Sequence, residues 1–277
     1  MTQDERFKAL IIKARRRLFG ERAGRHLSAL KGEGLDLAEI REYRDGDDVR
    51  KINWRVTART AQAHVNLFEE RKALDVAAVF LVDGAVYFGS VRQKQEVMAE
   101  IMALLGFAAV AREDRFWPIF FERAPLRLFH PQTDYKGVYG AVEYALGLEV
   151  LGKRADPAAL ADYLIRALPR RCVVVVVGDM WDIPAFDALS ARHELYIARV
   201  RDPFEMSPAF FEGVTLQDPA SGGAFEVEMT QGALRAWRQE REAADRDFEA
   251  YCLARGIGHT LIQTDEDPFE KLRELLR

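Results

Sequence analysis

Two aspartates stand at the ends of apolar runs. Asp83 closes "DVAAVFLVD" (75–83) and Asp179 closes "RCVVVVVGD" (171–179). A carboxylate at the mouth of a buried strand can attack a phosphorus centre, and a phosphatase-like hydrolase using Asp83 and Asp179 is one reading of the pair. That chemistry normally uses a second acid two residues after the nucleophile, and Ala85 stands there. The plainer reading is that strand-end aspartates cap the following turn or accept from loop amides. Other catalytic patterns are missing. The sequence has no Gly-x-x-x-x-Gly-Lys-Ser/Thr, no strand-linked Gly-x-Gly-x-x-Gly and no Gly-x-Ser-x-Gly, so neither a phosphate cradle nor a serine nucleophile elbow is present. His26, His64, His130, His193 and His259 are scattered without ligand spacing. Cys172 and Cys252 form no Cys-x-x-Cys, which fits two buried thiols in a reducing cytoplasm.

The elements that would position the two acids alternate in type. The run at 75–83 predicts a buried strand, and residues 90–112 predict a long helix with Ser90 and Gln93 as a capping box. "RFWPIFF" (115–121) and "LRLF" (126–129) predict two strands across a tight turn, with Pro118 suggesting that the first lies at an edge or starts late. Helices follow at about 137–148 and 157–168, then the β-branched strand at 171–179, a short helix from Pro184 and a strand at 194–200. After Asp202-Pro203 the texture changes to a hairpin insertion near 203–230, with Gly222-Gly223 at its turn. A charged helix (230–255), a strand "HTLIQT" and a last helix capped by Asp267-Pro268 complete the chain. Strands alternating with helices predict an α/β fold with a doubly wound, mainly parallel sheet, whose ligands sit at the carboxyl ends of the strands.

The 277 residues carry a formal charge of −4, but residues 1–72 hold 17 Lys/Arg against 12 Asp/Glu. Acids and bases alternate there without aromatic platforms, so nucleic acid is not an expected partner. The longest apolar run (101–111) is too short to span a bilayer, the start lacks a small-residue cleavage site, and no integral membrane segment is expected. Phe7, Leu10, Ile11, Ala14 and Leu18 share one helical face, suited to the protein's own core and, as a lesser alternative, to a membrane surface. Within "EYRDGDDVRKINW" (42–54), Asp45-Gly46 is a turn and the acids that follow can cap a short helix, with Trp54 as its anchor.

The segment "GEGLDLAEIREYRDGDDVRKINWRVTARTAQAHVNLFEERK" (32–72) resembles the signature of the bacterial domain-of-unknown-function-58 proteins. Its matching residues are Arg41, Glu42, Tyr43, Gly46, Asp47, Asp48, Arg50, Trp54, Ala58, Arg59, Phe68 and Glu69, with Asn53 where the family has Asp. The likeness continues through Asp83, through Phe88, Gly89 and Ser90, through Asp202 to Glu205, and through the final "HTLIQTDEDPFEKLRELL". It implies a von Willebrand factor A-like domain over 73–277, preceded over 1–72 by the first helix and a β-rich extension. In that extension Tyr43 and Trp54 would pack, and Arg41, Asp47, Asp48, Arg50 and Arg59 would form a charged network.

Type A domains often hold a divalent ion through Asp-x-Ser-x-Ser, a loop Thr and a further Asp. By the resemblance, Asp83 matches the first position, Asp179 the last and Thr133 the loop threonine, while Ala85 and Tyr87 replace the two serines. Two of the hydroxyl oxygens are lost, so a degenerate site without a stable Mg²⁺ is expected, and no cofactor. The family likeness further implies a non-catalytic interaction protein, an adaptor accompanying a MoxR-type AAA+ ATPase in assembling or remodelling a client protein.

Overall fold

The computed structural model describes residues 3–19, 35–70, 73–207 and 211–276. Residues 1–18 and 74–277 make one compact unit, and residues 19–73 a second. Helix α1 (Gln3–Phe19) belongs to the first of these rather than to the extension with which the sequence grouped it. The reason is its apolar stripe: Ile11 and Ala14 are buried, and Phe7, Leu10 and Leu18 pack against the same core. Polar contacts flank the stripe, with Arg6 pairing Glu96 at 3.0 Å and Lys13 pairing Glu100 at 2.8 Å.

In the second unit, β1 (Leu35–Glu42) and β2 (His64–Glu70) pair antiparallel, with helix α2 (Trp54–Thr60) between them. Gly46 takes φ +104° at the Asp45-Gly46 turn, a conformation that costs glycine little. Asp48 then caps a single 3₁₀ turn (Val49–Lys51), accepting from the Arg50 amide at 3.0 Å. Asn53 caps α2 by accepting from the Val56 amide at 3.1 Å, and its side-chain amide donates to Asn66 at 2.8 Å.

The first unit is built on a sheet of β3 (Asp75–Leu81), β4 (Arg115–Phe121), β5 (Pro125–Arg127), β6 (Val173–Gly178), β7 (Glu194–Arg201) and β10 (Gly258–Gln263). The order is β10-β7-β6-β3-β4-β5, parallel except for β5. This is the doubly wound arrangement of the von Willebrand factor A-like fold. Alternate strand residues serve opposite faces. Ala78, Phe80, Val82, Val175 and Val177 meet α3 (Lys94–Ala111) and α4 (Tyr135–Gly147) on one side. Ala77, Val79, Leu81, Val174 and Val176 meet α5 (Pro157–Ala167) and α6 (Asp187–Arg192) on the other.

Pro118 does not mark an edge strand, since β4 lies between β3 and β5. Parallel pairing puts the Phe121 carbonyl and the Arg115 amide toward β3, so the nitrogen of residue 118 points away from it. On that flank the returning chain bonds Phe120 and Phe121 through β5, and Phe116 through Gln132. Pro118 lies between these two points, where no amide is required.

After β7 come α7 (Pro203–Met206), the separate hairpin β8 (Phe211–Gln217) and β9 (Ala224–Met229), α8 (Gln231–Ala254), and finally, beyond β10, α9 (Pro268–Leu275).

Candidate functional site

The order of strands reverses between β3 and β6, and both candidate acids follow those strands at the sheet's carboxyl edge. Asp83 does the plainer job. One carboxylate oxygen accepts from the Ala85 amide at 2.9 Å and starts a 3₁₀ turn (Gly84–Tyr87); the other accepts from the Ala155 amide at 3.0 Å. It therefore ties the loop after β3 to the loop before α5. Gly84 next to it is crowded: a Cβ there would fall 2.4 Å from the Pro219 carbonyl oxygen, which also accepts from the Gly152 amide at 2.8 Å. The tip of the β8–β9 hairpin is thus seated on this edge.

Asp179 is engaged differently. Its side chain is fully buried between two cations, with Lys94 Nζ 2.6 Å from one oxygen and the Arg201 guanidinium on the other. Lys94, the first residue of α3, also reaches Glu205 at 2.6 Å. Burial lowers the Lys94 pKa against the pull of Glu205, and pushes Arg201 down to about 10. Arg201 stacks on Trp181 at 3.8 Å and donates to the Met180 carbonyl. These partners compensate charges that would otherwise be costly to bury.

A second carboxylate organises the same edge. Asp202 is buried and accepts from the Ser90 hydroxyl at 2.6 Å, the Ser90 amide at 2.7 Å, the Thr264 hydroxyl at 2.7 Å and the Phe204 amide at 2.9 Å. Burial pushes its pKa up, but the hydrogen bonds from Ser90 and Thr264 outweigh this and hold it below the ordinary carboxylate range. Glu205 closes a capping box by accepting from the Asp202 amide at 2.8 Å. Ser90 consequently bonds across the edge instead of capping α3, which starts four residues later than its sequence predicts and has no side-chain cap. Alongside, Arg92 joins the Thr264 carbonyl at 2.9 Å to buried Glu100 at 2.5 Å.

Thr133 is not part of this constellation. It follows Gln132, which pairs with Phe116 near the start of β4, so it lies at the amino edge, opposite Asp83. The antiparallel return through β5 carries the chain to that end. Around Asp83 the neighbouring loop instead supplies Lys153 and Ala155. With Ala85 lacking an oxygen, Asp83 turned onto two amides and Asp179 covered by two cations, these residues do not fit a divalent ion of the type A kind. Among the described residues no group of three His, Cys, Asp or Glu is arranged to hold a metal.

The charged motif lies in the second unit and divides into two separate pairs. Arg41 grips Asp47 with two hydrogen bonds of 2.8 Å, and Arg50 pairs with its neighbour Asp48 at 3.0 Å. Hydrogen bonding from these arginines lowers both carboxyl pKa values. Arg59 is exposed and joins neither pair among the described residues. Tyr43 is half-buried, its amide donating to the Ala63 carbonyl at 2.8 Å. Trp54, expected to pack, is 70 % exposed: it stands at the first position of α2, where Asn53 and Asn66 make the inward contacts. The side chains of Phe68 and Glu69 lie outside the described residues.

Lys94, Arg201 and Arg92 escaped the sequence reading, and Glu205 entered it only as part of the 202–205 stretch. A signal existed for Lys94, a cation at the amino end of an apolar helix where the helix dipole disfavours positive charge. Arg201, the last residue of the strand "ELYIARVR" (194–201), is a second cation at the end of a largely buried run.

The family model described as "Protein of unknown function DUF58" matches residues 39–248, more than half of the chain. The chain belongs to this family. Similar proteins include uncharacterized proteins of Mycobacterium tuberculosis and Mycobacterium bovis, each 28 % identical over 270 residues that cover 94 % of this chain and 84 % of the relative. Two solved structures align at lower similarity. One is the conserved hypothetical protein BatB from Bacteroides thetaiotaomicron, at 12 % identity and TM-score 0.46 over 74 % of this chain and 97 % of that one. The other is an aerotolerance-related membrane protein from Bacteroides fragilis, at 11 % identity and TM-score 0.45 over 74 % and 98 %.

Proposed function

We propose that this DUF58 chain is a non-catalytic interaction protein, an adaptor that recognises a client protein in partnership with a MoxR-type AAA+ ATPase. The ATPase would supply nucleotide hydrolysis and this chain recognition. The observation that supports the reading is the make-up of the carboxyl edge. Its strand-end carboxylates are spent on holding the edge together, while Tyr87, Phe88, Val91 and Phe204 remain exposed beside them, Val91 by 64 %. The Phe88 and Phe204 rings lie 6.2 Å apart, directly beside the Lys94 network. Apolar side chains grouped on a rigid polar base suit a recognition face. No helix among the described residues is long and apolar enough to cross a membrane, and the reading assigns the work to the cytoplasm without nucleic acid.

The test is purification of the tagged protein from its own cells with ATP present, followed by identification of what is retained. Recovery of a MoxR-like AAA+ ATPase, reduced by joint Phe88→Ala and Phe204→Ala or by charge reversal at Arg50, supports the adaptor and identifies the face. No ATPase after mild cross-linking, with phosphoester hydrolysis that disappears in Asp83→Asn, would replace it with a hydrolase.

A further inference from the structure

A type A sheet invites a divalent cation at its carboxyl edge, and the residues here do not fit one. We propose that the ammonium of Lys94 is the resident cation of this edge, fulfilling from within the chain the charge-balancing role that a metal would otherwise fill. The proposal goes beyond the adaptor reading and stands whether or not a partner docks here.

Three observations carry it. First, Lys94 Nζ is completely buried and equidistant, at 2.6 Å, from carboxylates on two different segments: Asp179 after β6 and Glu205 in α7. Bridging carboxylates from separate loops is the task of a structural cation. Second, the remaining Asp179 oxygen is taken by Arg201, which is itself fixed by the Trp181 ring and the Met180 carbonyl. Neither face of Asp179 is left for an ion. Third, the direct contacts are matched: Lys94 and Arg201 face Asp179 and Glu205, while the neighbouring Asp202 carboxylate is held by hydroxyls and amides. A divalent ion added here would meet two cations already seated on the same carboxylate oxygens, a repulsion that disfavours it.

A tethered cation differs from a metal in one testable respect, since a chelator cannot remove it. Thermal denaturation of the full chain is measured with EDTA and with millimolar Mg²⁺ or Mn²⁺, for the wild type, Lys94→Ala, and Lys94→Met with and without Glu205→Gln. The wild type is expected to melt at the same temperature under all conditions. Lys94→Ala leaves two carboxylates facing a hole and should melt roughly 10 °C lower. Methylammonium or Mn²⁺ should recover part of that loss in the variant and none in the wild type. If Lys94→Ala fails to fold, the Lys94→Met pair decides: removing Glu205 charge together with the lysine should give a higher melting temperature than removing the lysine alone. A wild type that loses stability in EDTA and regains it with Mg²⁺ would overturn the proposal. So would a Lys94→Ala protein as stable as the wild type, or a double variant no better than Lys94→Met.

Discussion

Asp202 concentrates more of the edge on one carboxylate than either acid legible at the strand ends. It joins the loop before α3, the start of α7 and the end of β10 through Ser90, Phe204 and Thr264. Replacing it with Asn keeps the shape but turns one acceptor into a donor facing hydroxyls and amides, and should cost about 2–4 kcal/mol at neutral pH. The pH dependence follows from its depressed pKa. Its contribution is fully present above the unfolded-state value of about 4 and is lost as pH falls through the folded value. Denaturant unfolding of wild type and Asp202→Asn should therefore differ most near neutrality and converge in acid; a constant gap across that range would contradict this account. Position in the chain revealed Asp83 and Asp179 as edge residues, because strand ends are readable from apolar runs. The partners were not readable. Lys94, Arg201 and Glu205 converge only after three segments have folded, and no spacing in one dimension encodes that meeting.

Elements were legible where burial is one-sided or complete. The apolar run of β3, the β-branched run of β6, the amphipathic α5 and the proline-capped α9 stand where periodicity and capping place them. Misreadings arose where tertiary contacts redirected a local signal, as when Ser90 left the α3 cap for Asp202, or when Thr133 followed β5 to the other edge. The hairpin was legible as a hairpin, but its docking was not. Its tip depends on the absence of a side chain at Gly84. Gly84→Ala should push Pro219 from its seat at a cost of about 1–3 kcal/mol. Hydrogen exchange should then accelerate in residues 218–223 and at the Gly152 amide, while β3 and β6 stay protected. Unchanged exchange at the tip would mean that the close approach is not what holds it.

At the scale of the whole molecule, the two thiols are internal reporters. Cys172 and Cys252 are buried on the same side of the sheet, and burial pushes each thiol up to about 11. At neutral pH neither should react with a thiol reagent faster than the α/β unit opens, and both should become reactive together across the denaturation transition. Rapid labelling of either in the native protein would show a local opening that this packing does not contain. The pairing of charges around Lys94 also has a consequence in descent. A lineage that loses the lysine alone inherits a buried Asp179 held by Arg201 and a part-buried Glu205 stripped of its cation, so the change should persist only where position 179 or 205 becomes neutral too. Across many DUF58 sequences these positions are expected to vary as a single inherited character. A common class with a neutral residue at 94 and both acids retained would break that rule.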